Sequence, residues 1–446
     1  MFQLIEKVKI EFDKYKIENL FLIFGLLITI TLSLSMPLFN EPDGQYHFAV
    51  SSRIVNSSVD TSRYGVDHVV TGMSDQKESY QNGTHFEKYY LNKAKIINSS
   101  IVPRNIRFSY HNYVFFGHVV PAIGIFIGRL IYPSLGIMIT CGRIFSSFIY
   151  VIALFLVIKK LKYGKLVFAT IFLSPVVMNL IASLSYDAAS ILAVSVFLML
   201  NINILAEPNK ELPIKSLISS IIFLIIASKQ NYWIIILILF FTLFESKNTY
   251  TLKYRKIILD ILYFIKSRKL FFLLSGLSLF LVFLYVICIP QGGIKIVLQR
   301  YFMTIVFDYK NSFTLNSWLA EPYPGYSNMP SWVTALWIVL LVIVLLSEEK
   351  FVINLSLSIF ALFLFIIGML GVYYIQLSYG ADGTSYIKGV QGRYFTPTLL
   401  LLLIFVAGIG NKLILKKSYY LTFSVVISSI LTNLMVIFNT IIDLKR

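Results

Sequence analysis

The residues best suited to chemistry lie at the ends of apolar runs. In NEPDGQYHF (40–48), directly after the first run, Glu41 and Asp43 are two carboxylates, and His47 follows Asp43 by the four residues that share a helix face. A carboxylate held at a membrane surface can take a proton from an attacking hydroxyl, with Glu41 and His47 in support. Read blandly, Asp43 before Gly44 is turn and helix-capping chemistry. Lys229 in SKQNYW (228–233) interrupts a long apolar stretch and is backed by Tyr232 and Trp233. It is a point charge for a phosphate or an interfacial anchor. Arg393 in GVQGRYFTP (389–397), beside Gln391 and Tyr394, offers a planar fork of donors for phosphate, and Gly389 and Gly392 allow close backbone approach. Snorkelling at the interface is the alternative. Asp187 in SLSYDAAS (183–190) suits an N-cap for the helix beginning at Ala188. Arg143 falls inside an apolar run, where a cation either serves function or pairs with a buried carboxylate.

The elements that must position these groups are membrane helices. The 446 residues are 57% hydrophobic and 14% charged, with a mean hydropathy of +0.75, far too apolar for a soluble domain. Runs of about 17 to 25 apolar residues predict an all-α integral membrane protein with about eleven spans. These fall at 19–39, 137–158, 166–183, 188–206, 216–229, 231–245, 270–289, 332–347, 351–375, 394–410 and 419–441. Residues 1–18 form a basic tail, and the whole of 1–446 reads as one polytopic domain. The net charge of +17 reflects Lys and Arg in short connections, which fits positive-inside topology and not a nucleic-acid partner. With the tail cytoplasmic, a large loop at 40–136 and shorter ones at 290–331 and 376–393 all face outward. Segment 113–131 holds His118, Pro121 and Arg129 and reads as a helix lying at the outer interface, since counting it as a span would turn KKLKYGK (159–165) outward. Cys141 and Cys288 lack metal-ligand spacing, and neither a disulfide nor a metal site follows from them.

The ordered set PDGQYHF (42–48), SLSYDAA (183–189), SKQNYW (228–233) and QGRYFTP (391–397) resembles a large family of bacterial polytopic membrane proteins described only as a domain of unknown function. That family in turn looks like the C-type fold of glycosyltransferases (GT-C), which take a sugar from a polyprenyl-phosphate donor on the outer face of the membrane. In GT-C enzymes the first outer loop opens with an acidic pair and a nearby His. Asp43 and His47 match two of those positions, but the adjacent acidic position is Gly44, and Glu41 would have to supply the second carboxylate. The resemblance implies Asp43 as base. It implies Lys229 and Arg393 as donor-phosphate contacts, with Tyr232, Gln391, Arg143, Asp187 and Tyr394 around them. It further implies a cell-envelope glycan as acceptor, a bacterial plasma membrane location and no required cofactor, a divalent cation being optional. A transporter of lipid-linked saccharides, or a non-catalytic partner in envelope polysaccharide assembly, shares the outer cations and is the alternative.

Overall fold

A computed structural model of the chain describes residues 16–39, 41, 43–59, 86–97, 113–246, 267–311, 313–322, 327, 329–378, 386–409 and 419–442, with isolated positions 256, 260, 263 and 264. Most of the basic tail, much of the 40–136 loop ahead of residue 113 and the Gly-rich stretch 379–385 lie outside these residues. The described residues form helices, with one isolated bridge between Val59 and Ile96.

Two long antiparallel helices set the frame, α1 (Ile17–Ser35) and, after the short α2 (Gly44–Ile54) and α3 (Tyr113–Ile131), α4 (Leu135–Lys160). Gly25 of α1 brings the backbones together at Val151, and Ser33 Oγ meets Ser147 Oγ at 3.0 Å. Thr29 and Ser33 return their hydroxyls to carbonyls one turn back, so neither presents an unmet polar group to an apolar surround. At one end of this pair Lys165 holds Glu18 at 3.1 Å, close to Lys159 and Lys160. At the other end Arg143 reaches the carbonyls of Met36 and Pro37, just past the end of α1. The first turns of α4 therefore extend beyond α1, and there they pack with Leu38, Phe39, Phe48 and Ile125 of α3 in a second apolar cluster. Gly124 and Gly128 of α3 lie so close to Cys141 and Met138 that a Cβ on either would come within 3 Å.

The chain next forms α5 (Lys165–Phe172), α6 (Pro175–Ile181), α7 (Asp187–Ala206) and α8 (Ile214–Ala227). A 3-10 segment (Gln230–Leu237) leads into α9 (Ile238–Glu245), followed by α10 (Lys269–Cys288), α11 (Ile294–Asn311), α12 (Phe313–Leu319), α13 (Ser331–Leu346) and α14 (Leu355–Ile375). Two 3-10 turns (Gly392–Tyr394 and Thr396–Leu400) precede α15 (Leu401–Ile409), and α16 (Tyr419–Ile442) closes the fold. The main core gathers around α5, α6 and α7, with Trp337 and Leu400 against them.

Seven of these helices are long and apolar enough to cross a membrane: α1, α3, α4, α7, α10 with its 3-10 extension, α14 and α16. The eleven expected spans differ from that set in a consistent way. The run 166–183 is two helices, because Pro175 cannot continue α5 and Ser174 caps α6 instead. The carbonyl freed at Leu173 accepts from Ser429 Oγ at 2.7 Å and Asn433 Nδ2 at 3.3 Å. The runs at 216–229, 231–245, 332–347 and 394–410 form shorter apolar helices. A 14-residue helix such as α8 spans only about 21 Å. In the opposite sense α3, read from sequence as an interface helix, has the length and composition of a span.

Candidate functional site

Asp43 sits immediately before α2 in the left-handed conformation, φ 55° and ψ 29°, which a non-glycine residue adopts at some cost. Its side chain makes no cap hydrogen bond to α2. The carboxylate instead pairs with Arg393 Nη2 at 3.3 Å. Asp187 is likewise no cap for a helix beginning at Ala188. It is itself the first residue of α7, its N–H donates to Ser185 Oγ at 3.1 Å, and its carboxylate is left for other partners. Negative charge in a first helical turn is favourable against the helix dipole.

Those partners are the two cations. Asp187 Oδ1 meets Lys229 Nζ at 2.6 Å, and Oδ2 meets Arg393 Nε at 3.3 Å. One carboxylate thus sets an ammonium and a guanidinium side by side, and Arg393 links this pair to Asp43. Arg393 is buried to 2% exposure, while Asp43 keeps 22%. Burial pulls the Arg393 guanidinium down, and Tyr394, Asp187 and Asp43 together outweigh it and raise it above its ordinary value. Among the described residues its Nη1 has no hydrogen-bond partner. Lys229 Nζ also lies over the rings of Tyr394, at 4.1 Å, and Tyr186, at 4.7 Å.

Local structure explains why these residues arrive together. The 3-10 turn bearing Arg393 is seated by Gly392, whose N–H donates to Ser317 Oγ at 2.7 Å. A Cβ at Gly392 would stand 2.0 Å from the Thr314 carbonyl oxygen, so only glycine lets this turn press onto α12. Tyr232, fully buried, donates its hydroxyl to the Tyr394 carbonyl at 2.9 Å and ties the Lys229 turn to the Arg393 turn. Gln391 precedes that turn and accepts the Tyr394 N–H on its carbonyl.

Beside Lys229 a cleft of about 260 Å³ is lined by Tyr113, Tyr186, Tyr394 and Gln376 together with Val372 and Ile375 near the end of α14. A cation, three phenols and an aliphatic wall suit an amphiphile with an anionic head.

Two expected members stand apart from this network. Glu41 and Arg143 form a buried bidentate pair with each other, Nε to Oε1 at 3.2 Å and Nη2 to Oε2, while Nη1 and Nη2 also take the Met36 and Pro37 carbonyls. Arg143 is fully enclosed and Glu41 is 1% exposed, so this pair fixes the loop between α1 and α2 and does not reach the cleft. The buried carboxylate partner weighed for Arg143 is Glu41.

His47 is placed beneath Asp43, donating nothing to its carboxylate. His47 Nδ1 lies 2.8 Å from His118 Nε2, and His118 Nδ1 lies 2.5 Å from the Val114 carbonyl. Since Nδ1 of His118 must donate to that carbonyl, its Nε2 accepts, and His47 donates from Nδ1. Burial, then His118, Arg393 and Lys229, hold the His47 imidazole well below its usual range and keep it neutral. Tyr46, adjacent, is pushed up to about 12 by burial, Tyr113 and Asp43. His118, Tyr186 and Tyr113 are site members that sequence reasoning did not assign. The only signal for them was the polar character of His118 within an apolar segment and the position of Tyr186 next to Asp187.

Fold and site together define a polytopic helical membrane protein with an ionic cluster and an amphipathic cleft at one end of its bundle. Residues 26–402 match the family described as predicted membrane protein (DUF2142), and the chain belongs to that family. Compared against curated proteins and against solved structures, it finds no match in either.

Proposed function

We propose that this protein is a GT-C-like membrane glycosyltransferase that moves a sugar from a polyprenyl-phosphate donor to a cell-envelope glycan on the extracytoplasmic side. One observation carries the reading: Asp187 holds Lys229 and Arg393 side by side next to an amphipathic cleft, with the carboxylate of Asp43 3.3 Å from Arg393. Cations of this kind, arranged before the substrate arrives, stabilise charge that develops in a transition state.

In this scheme the polyprenyl chain lies along Val372 and Ile375, and its phosphate meets Lys229 Nζ and the free Nη1 of Arg393. An acceptor hydroxyl attacks the anomeric carbon as Asp43 takes its proton. The new glycosidic C–O bond forms, the bond from that carbon to the phosphate oxygen breaks, and polyprenyl phosphate departs with its electron pair onto the two cations. Asp187 is a positioning residue, and Tyr394 and Tyr186 shield Lys229 from water. His47 supports α2 beneath Asp43 through His118. No metal enters the scheme, and the described residues hold no group of three or more His, Cys, Asp or Glu with metal-binding geometry.

The reading is tested by release of polyprenyl phosphate from a panel of polyprenyl-phosphate sugars, with envelope glycan supplied as acceptor. Wild-type protein in lipid should release product from at least one donor, and Lys229→Gln should slow release by at least tenfold. Release from no donor, with net movement of lipid-linked saccharide across the bilayer instead, would replace the enzyme with a transporter.

A further inference from the structure

We infer that Arg300 forms a second oxyanion site, one that takes a phosphoryl group and is separate from the Asp187 network. Arg300 lies in α11 at 8% exposure. Its Nη1 donates to the Leu377 carbonyl at 2.8 Å, one residue beyond the cleft-lining Gln376. Its Nε and Nη2 are buried and have no hydrogen-bond partner among the described residues. Those two nitrogens form one edge of the guanidinium, the edge that grips two oxygens of a phosphate or carboxylate at once. Arg300 is therefore anchored by one corner with its whole bidentate edge vacant.

A buried guanidinium without a counter-charge is strongly unfavourable. Nearby polar groups do not relieve it. Thr304 donates its hydroxyl to the Arg300 carbonyl at 2.6 Å and accepts the Ile387 N–H at 2.7 Å, so that side chain is committed. Leu377, whose carbonyl takes Nη1, shares an apolar cluster with Val297 and Val390. Among the described residues no carboxylate pairs with Arg300, in contrast to Arg143 and Arg393. The vacant edge is closed from solvent, so an anion bound there is enclosed. The site lies just past the end of α14 beside an apolar cluster, a setting that suits the phosphate of a lipid as well as a free oxyanion.

This site stands on its own geometry, independent of the catalytic reading. Its test uses full-length protein in dodecyl maltoside, a phosphate-free neutral micelle, carrying Lys229→Gln so that the cleft lacks its ammonium, and the Arg300 variants report on the second site alone. Binding of dodecyl phosphate is followed by native mass spectrometry, with inorganic phosphate as a second probe. The Lys229→Gln protein should still bind one dodecyl phosphate. Adding Arg300→Lys, which keeps the charge but loses the fork, should weaken binding about tenfold, and Arg300→Gln should abolish it. Saturation by inorganic phosphate at the same concentration assigns the site to free oxyanions, and a requirement for the alkyl chain assigns it to lipid phosphates. Either supports the site. No binding to the Lys229→Gln protein, or equal binding after Arg300→Lys in protein that stays monodisperse, overturns it.

Discussion

Asp43 and Glu41 stand two residues apart and have opposite roles. Glu41 is locked against Arg143 in an enclosed pair, whereas Asp43 holds a left-handed backbone conformation and keeps a partly exposed carboxylate. Strained backbone at a non-glycine residue persists where the surroundings over-determine it, which is common at sites. Glu41→Ala should therefore cost about 3 to 5 kcal/mol, because it leaves the Arg143 charge buried and alone. Asp43→Asn should leave the unfolding temperature in lipid nearly unchanged while eliminating transfer; equal destabilisation by the two would assign Asp43 a structural role. The His47 imidazole gives a pH signature. Its folded pKa is lowered well below 6.5, so the unfolded chain takes up a proton first as pH falls. Stability should be flat above about pH 7 and decline below about 6.5, and His47→Gln should flatten that decline in melting curves taken between pH 5 and 8. Adjacency in sequence could not separate Glu41 from Asp43, since which way each carboxylate turns depends on Arg143 and Arg393, 102 and 350 positions away. His118 was equally hidden, because its pairing with His47 crosses 71 residues.

The elements were legible wherever an apolar run formed one uninterrupted helix, as for α1, α4, α7 and α14. They were misjudged where polar breaks are short. Ser174-Pro175 divides a run whose average hydropathy is high, and the break is stable because α16 returns Ser429 and Asn433 to the Leu173 carbonyl. Averaging over a window hides such a break, although the proline was its signal. α3 was misjudged in the other direction: read as an interface helix from its His118, Pro121 and Arg129, it has the length and composition of a span, its glycines approach α4 at Met138 and Cys141, and Phe126, Leu130 and Ile131 are exposed. Gly392 makes the demand of an element on one residue most plainly. Gly392→Ala should force the Arg393 turn off α12, and transfer should fall by at least tenfold while overall helicity by circular dichroism stays the same. Retained transfer would show that the turn can shift without consequence to Arg393.

The whole molecule is polar at its two ends in different ways. One end carries Lys159, Lys160, Lys162 and Lys165, and the other gathers carboxylates, cations and phenols around the cleft. The proposed function needs the cleft outside, with the Lys159–Lys165 end held in the cytoplasm as the positive-inside rule favours. With Cys141 and Cys288 changed to Ser, Lys388→Cys, exposed five residues before Arg393, should react with an impermeant maleimide in intact cells, and Lys162→Cys only after the membrane is opened. The reverse pattern would turn the site inward. Sugar transfer on that outer face is the central claim, and it is measured most directly as labelled sugar passing from polyprenyl phosphate to envelope glycan with purified protein in lipid, wild type beside Asp43→Asn. Labelled glycan with the wild type and none with folded Asp43→Asn is the result expected; equal labelling by both, or by neither with any donor, would contradict it.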